Sequence, residues 1–369
     1  MTLRPVGTNV HLLVRVAEPD NLTDGRATSI TTTLHHEVLE DAAGLRLVFA
    51  NRHNRLGHDE PGPDPIEVRA GLARPGGRSV PVRFDGGESV LLAPGAVVLS
   101  DHVRVVVTAG EVLTSRTTAT VQAGGRIPLG PEPDVLAGEQ VEASGPGAPP
   151  RHGYGPWQVL GEGAATAPVV FVAGDSNAVG FGDVRGSARH RGWVRRALEP
   201  SRIPHVNLSV SGATALGAST PDGLADRLTL LRWTDPTLAV AALGTNDLQG
   251  GGPDLPEMQR RLTALWRLLS GAGRPVVACT LPPVTLSSDG WRTTAGQRPD
   301  AGLAVRERVN DWVRTLPEPL TGFIDLAAAV GADGRWLPGC TDDGVHLSAA
   351  GHAAAAAGAA RALWDLALP

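Results

Sequence analysis

From residue 168 to the end of the chain, short apolar runs alternate with stretches of helical periodicity. Strands are expected at 168–173, 204–208, 237–242, 275–280 and 320–325, and helices near 187–199, 221–232, 256–271, 301–315 and 348–366. This alternation constrains the fold more than any other feature. Strands that read as continuous apolar runs need cover on both faces, and the intervening helices supply it. The expectation is an α/β domain with a parallel sheet between two helical layers. Such sheets bind ligands outside the carboxyl ends of their strands. Leu262, Leu265, Leu268 and Leu269 recur at helical spacing and predict a core-facing stripe. Ser348 reads as the start of the last helix.

The strand ends carry the chemistry. Val169-Val170-Phe171-Val172 stops at Gly174-Asp175-Ser176-Asn177, which sets a hydroxyl at the carboxyl end of a buried strand. A serine hydroxyl is a poor nucleophile until a base takes its proton. His346 is the candidate base, and Asp343 precedes it by three residues, so one loop can present both. A carboxylate on Nδ1–H fixes the tautomer that turns Nε2 toward the serine. Taken alone, Asp343-Gly344 also reads as a plain turn, and Asp342 competes for the carboxylate role.

Four blocks, in order, make the chain similar to the SGNH hydrolases, also called the GDSL esterase/lipase superfamily. They are Gly174-Asp175-Ser176, Gly212 after Asn207-Leu208-Ser209-Val210-Ser211, Gly244-Thr245-Asn246-Asp247, and Asp343-Gly344-Val345-His346. The resemblance covers about residues 165–369 and departs at Asn177, where the family often has Leu or Ile. It implies a flavodoxin-like, five-stranded parallel sheet flanked by helices. It also implies a catalytic Ser176–His346–Asp343 set with an oxyanion hole from the Ser176 N–H, the Gly212 N–H and the Asn246 amide. Asp175 and Asp247 are expected to hold loops through side-chain to backbone hydrogen bonds.

Residues 1–130 differ. Short β-type runs at 28–35, 45–50, 66–72, 80–84, 89–92 and 103–108 are separated by Gly- and Pro-containing turns. They predict an all-β sandwich of jelly-roll type, which also resembles the N-terminal domain of a group of actinobacterial SGNH hydrolases. Residues 131–164, dense in Pro and Gly, are expected to form a linker or arm. Its Tyr154 and Trp157 are candidates to line the substrate cleft. The hydrolase domain would then span residues 165–369.

Bulk properties exclude several functions. All 33 basic residues are Arg, and the net charge of −5 gives no general pull toward nucleic acid or anionic membrane. Neither a metal-ligand cluster nor a phosphate or dinucleotide loop is legible, so no metal or cofactor is expected. His35-His36 reads as a β-surface pair. The N-terminal segment lacks a signal-peptide core and no window is apolar enough to span a bilayer. That predicts a cytoplasmic chain, or a secreted one if a signal was removed. Cys279 and Cys340 leave a bridge open. The expected function is a serine esterase for a small or medium acyl ester, such as an acetylated sugar or natural product. An O-acyltransferase using the same acyl-enzyme and a noncatalytic carbohydrate-binding protein are the alternatives.

Overall fold

Alternation builds the N-terminal half. In β2 (Ser29–Glu37) the buried residues are Ile30, Thr32, Leu34 and His36, every second one. A strand of period two buries one face in this way. The computed structural model describes residues 3–8, 21–130, 132–146, 148–162, 168–183, 191–220, 223–234 and 236–367. The first four residues of the helix expected at 187–199 lie outside them, as does the start of the one expected at 221–232.

One antiparallel sheet takes β1 (Arg4–Gly7), β3 (Ala42–Ala50), β9 (Val97–Leu99), β10 (Val103–Val107) and β13 (Gln158–Gly161), in the order β1–β13–β3–β10 with β9 also on β3. A second takes β2, β6 (Ile66–Ala73), β7 (Val80–Val82), β8 (Val90–Leu92), β11 (Val112–Thr120) and β12 (Gln140–Ser144), in the order β12–β2–β11–β6–β7 with β8 on β6. Leu45, Leu47, Phe49 and Val159 from the first meet Ile30, Ile66, Val68 and Leu113 from the second in one apolar core. This is the expected sandwich, and the six predicted runs fall on β2, β3, β6, β7, β8 and β10. A further hairpin, β4 (Arg52–Arg55) with β5 (His58–Pro61), stands outside both sheets.

The segment expected to form a linker or arm is built into the two sheets. β12 extends the second sheet, and β13 sits between β1 and β3 in the first. Its Pro- and Gly-rich flanks hide two short strands.

The second half is the expected parallel sheet. β14 (Val170–Gly174), β15 (His205–Asn207), β16 (Leu238–Ala242), β17 (Val276–Cys279) and β20 (Leu320–Ile324) lie in the order β15–β14–β16–β17–β20. Helices α1 (Ser176–Val179), α2 (Gly192–Leu198), α3 (Ala215–Ser219), α4 (Ala225–Leu228), α5 (Thr245–Leu248), α6 (Leu255–Leu269), α7 (Leu303–Arg314), α8 (Leu326–Val330) and α9 (Ala349–Ala367) connect or cover the strands. Two small hairpins, β18 (Thr285–Ser287) with β19 (Gln297–Pro299) and β21 (Gly331–Ala332) with β22 (Arg335–Trp336), complete the domain. In α6, Met258, Leu262, Leu265, Trp266 and Leu269 form the buried stripe, capped at its start by Asp254. Ser348 Oγ accepts from Gly351 N at 3.2 Å where α9 begins.

Each face of the sheet has its own core. Val170, Val172, Val240 and Val277 pack toward Trp193, Leu198, Ala355 and Leu363 of α2 and α9. Phe171, Ala173, Ala239 and Val276 pack toward α6 and α7. That second core does not stop at the domain edge. Leu3, Val48, Ala50, Trp157 and Leu160 of the β-sandwich belong to the same buried cluster. β3 is therefore buried on both faces near its end.

Candidate active site

The strand order reverses between β14 and β16, and Ser176 follows β14 directly. Gly174 makes the sharp exit possible, because a Cβ there would overlap the Ala178 side chain. Asp175 is extended, and its carboxylate accepts from Asn177 N at 3.0 Å, capping α1. Burial pushes that carboxyl up to about 6, against the opposing pull of the Asn177 N–H. Ser176 is 7% exposed and opens the helix.

Neighbouring strand ends bring the other blocks alongside. The β14–β15 ladder runs on beyond Asn207: Leu208 N donates to Val172 O at 2.8 Å and Val210 N to Gly174 O at 3.0 Å. This carries Ser211 and Gly212 to the same sheet edge as Ser176. On the other side, Asp175 N donates to Ala242 O at 3.3 Å, just before Gly244 and Asn246. The Asn246 amide donates to Ala213 O at 2.9 Å. Asp247 accepts from Ala215 N at 2.6 Å and Leu216 N at 3.1 Å, and Arg261 reaches it at 3.1 Å. The two side chains pin the loop that holds Gly212.

The loop before α9 supplies the imidazole. His346 Nε2 lies 3.0 Å from Ser176 Oγ, and His346 Nδ1 lies 2.6 Å from Asp343 Oδ2. With Nδ1–H donating to the carboxylate, Nε2 is left to accept from the serine hydroxyl. Asp343 Oδ1 also accepts from the backbone of Val345 at 2.9 Å and His346 at 2.7 Å. Partial burial raises the Asp343 carboxyl. The hydrogen bonds from the His346 ring and from the two backbone N–H groups outweigh it and hold the group at about 2. It stays an acceptor at any ordinary pH.

Several supports were not legible in the sequence. Asn177 grips the backbone on both sides of His346: its amide donates to Val345 O at 3.3 Å, and its carbonyl accepts from Leu347 N at 2.9 Å. The position read as a departure from the family is thus a clamp between the Ser176 turn and the His346 loop. Phe181 lies against His346 with ring centroids 4.4 Å apart and the planes tilted by 51°, and is 43% exposed. His352 accepts from Trp193 N at 3.1 Å and donates to Phe181 O at 3.0 Å. Burial holds its pKa down at about 4, so it is a neutral brace. Local polar pairing left no signal that periodicity could detect.

Two expectations are corrected. Tyr154 and Trp157 do not line the cleft; each is 3% exposed. Tyr154 lies in the sandwich core with its hydroxyl on Ala50 O at 3.1 Å, and Trp157 lies in the core shared with the α/β domain. Large aromatic rings gain more from such burial than from a solvent-facing wall. The β-domain reaches the site instead through the β4–β5 hairpin. Asn54 donates to Ser211 O at 3.0 Å, and Gly57 packs against the Gly212 carbonyl. His36 is buried rather than surface-lying, between Thr8 O and Ser115 Oγ. Cys279 and Cys340 are buried free thiols. Among the described residues, no group of three or more His, Cys, Asp or Glu could hold a metal ion, and no helix is long and apolar enough to cross a membrane.

A salicylyl-acyltransferase from a tetracycline biosynthetic pathway is 16% identical, with 94% of this chain and 83% of that one covered and a TM-score of 0.40. A family two carbohydrate esterase from Cellvibrio japonicus is 15% identical, with 98% and 95% covered and a TM-score of 0.42. A carbohydrate acetylesterase from Sinorhizobium meliloti is 19% identical, with 55% and 100% covered and a TM-score of 0.38. No curated protein matches the chain. Residues 172–354 match the model of the GDSL-like lipase/acylhydrolase family. Those residues are therefore a GDSL-like lipase/acylhydrolase domain, of the SGNH hydrolase superfamily.

Proposed function

We propose that the chain is a serine esterase acting on a small or medium acyl ester through an acyl-enzyme on Ser176. One observation carries this: the hydrogen-bond chain from Asp343 through His346 to Ser176, 2.6 Å and 3.0 Å long. Ser176 Oγ attacks the ester carbonyl while His346 Nε2 takes its proton. The carbonyl oxygen gains negative charge and is met by the N–H groups of Ser176 and Gly212 and the Asn246 amide. Collapse of the intermediate expels the alcohol, which leaves with the proton from His346. Water then attacks the acyl-Ser176, passing its own proton to His346. The acid departs as Ser176 recovers the proton.

Hydrolysis is favoured over transfer to a second alcohol by exposure. The side chains of His346 and Asp343 are 25% and 48% accessible, so water reaches the base. Phe181 at 43% and Leu56 at 57% exposed, beside His346 and at the hairpin tip, offer apolar surface to an acyl chain. An acetylated sugar or natural product is a fitting substrate class. A noncatalytic carbohydrate-binding role leaves the serine–histidine pairing without a purpose.

Ser176→Ala should remain folded, lose fluorophosphonate labelling and lose turnover of p-nitrophenyl esters. A folded variant with near-parental turnover overturns the reading. A series of graded acyl length, run on the parent protein, identifies the preferred acid.

A further inference from the structure

The hairpin that reaches the site from the β-sandwich brings one buried amide with it. Asn54, at 1% exposure, donates through Nδ2 to Ser211 O at 3.0 Å and accepts through Oδ1 from Gly57 N at 2.9 Å. Ser211 O and Gly212 N belong to the same peptide unit. That unit is planar, with its C=O and N–H on opposite edges, so whatever anchors the carbonyl aims the N–H. The Gly212 N–H has no acceptor among the described residues. Gly212 has φ +84°, a conformation that needs outside support to be unique. The support is adjacent, because the hairpin turn lies so close that a Cβ on Gly57 would overlap the Gly212 carbonyl. A hydrogen bond accepted by a peptide carbonyl also polarises the amide and strengthens its N–H as a donor.

We infer that Asn54 is a positioning residue for the oxyanion donor at Gly212. The direction of that N–H is set from the β-sandwich, across the domain boundary, and not by the loop alone. The inference rests on the esterase reading above.

Asn54→Asp tests it. The change keeps the shape and the acceptor facing Gly57, and it replaces the donor facing Ser211 O with a carboxyl oxygen. On a p-nitrophenyl ester, kcat per fluorophosphonate-titrated site should fall roughly tenfold, the scale of one neutral hydrogen bond. KM should stay within about twofold, because the donor serves the transition state. The deficit relative to the parent should shrink at low pH, where the introduced carboxyl holds a proton and donates, and grow as the pH rises. Asn54→Ala should show a similar deficit with no such pH dependence, and it decides the matter if Asn54→Asp does not fold. Arg55→Ala, exposed on the same hairpin, should keep the parental kcat.

A merely structural brace would instead lower the titrated fraction or the melting temperature and leave kcat per site unchanged at every pH. That result, in either Asn54 variant, overturns the proposal. Failure of the esterase reading would appear separately, as turnover retained by Ser176→Ala.

Discussion

Asn246 has two amide hydrogens, and Ala213 O takes one of them. The other is the donor assigned to the developing oxyanion. Asn246→Ala should therefore lower kcat by about 10²–10³, the usual loss for one such donor, with a much smaller change in KM. Steady-state kinetics on one ester decides this, and a change confined to KM would make Asn246 a ground-state contact. Asp175 supports a prediction of another kind. Its carboxyl sits at about 6 in the folded chain because burial disfavours the charge. The unfolded chain releases that proton near 4. Between those values the folded state holds more protons, so stability falls as the pH rises through the window and the loss persists above it. Asp175→Asn keeps an oxygen for Asn177 N and removes the titration. Its stability relative to the parent should climb from pH 4 to about 6 and then level off. A difference that is flat across this range in chemical denaturation would contradict the assignment.

At the scale of elements, the β4–β5 hairpin depends on charge where the other strands depend on apolar packing. Arg52 Nε meets both Asp59 oxygens, at 2.9 Å and 3.0 Å, with side chains 5% and 0% exposed. The buried Arg227 guanidinium, lowered to about 10 by burial, is raised by the same Asp59 charge. Removing one partner of a buried pair leaves the other charge uncompensated. Asp59→Ala should cost about 3–5 kcal/mol, read as a lower urea midpoint at unchanged slope. A loss below 1 kcal/mol would mean that solvent already screens the pair. This hairpin also marks the limit of what the sequence disclosed. Strands such as β3 and β14 were legible because apolar residues recur with the period of a sheet or run unbroken through its middle. Arg52, His53, Asn54 and Arg55 carry no such pattern, since their buried face is satisfied by ion pairs and amides. β12 and β13 were obscured by the glycines and prolines around them. The close approach of Ser176, Asp343 and His346 was anticipated, because each lies beside an abrupt end of an element. The clamp at Asn177 and the contact of Phe181 with His346 depend on neighbours distant in the chain, and single-chain periodicity does not register those.

For the whole molecule, the decisive feature is the core that crosses the domain boundary. Trp157, Leu160 and Val48 share it with Phe171, Leu208 and Val276. Each large side chain of this kind contributes about 1.5–3 kcal/mol when fully buried, comparable to a sizeable share of a domain's net stability. Residues 165–369 expressed alone should therefore be insoluble or lack a cooperative melting transition. A soluble fragment with a sharp transition would show that the α/β half stands without its partner. β1 leads to a different consequence. It pairs with β13, so Arg4 waits for Gly161 before its ladder can close, and β13 is itself the strand that joins β1 to β3. The face of β3 opposite the sandwich core finds its cover only in segments made later still. On the ribosome, the sheet that contains β1 thus closes only after the second sheet has been made, and its outer face is covered later still. The nascent chain must be kept from sticking to its neighbours until most of the protein has emerged.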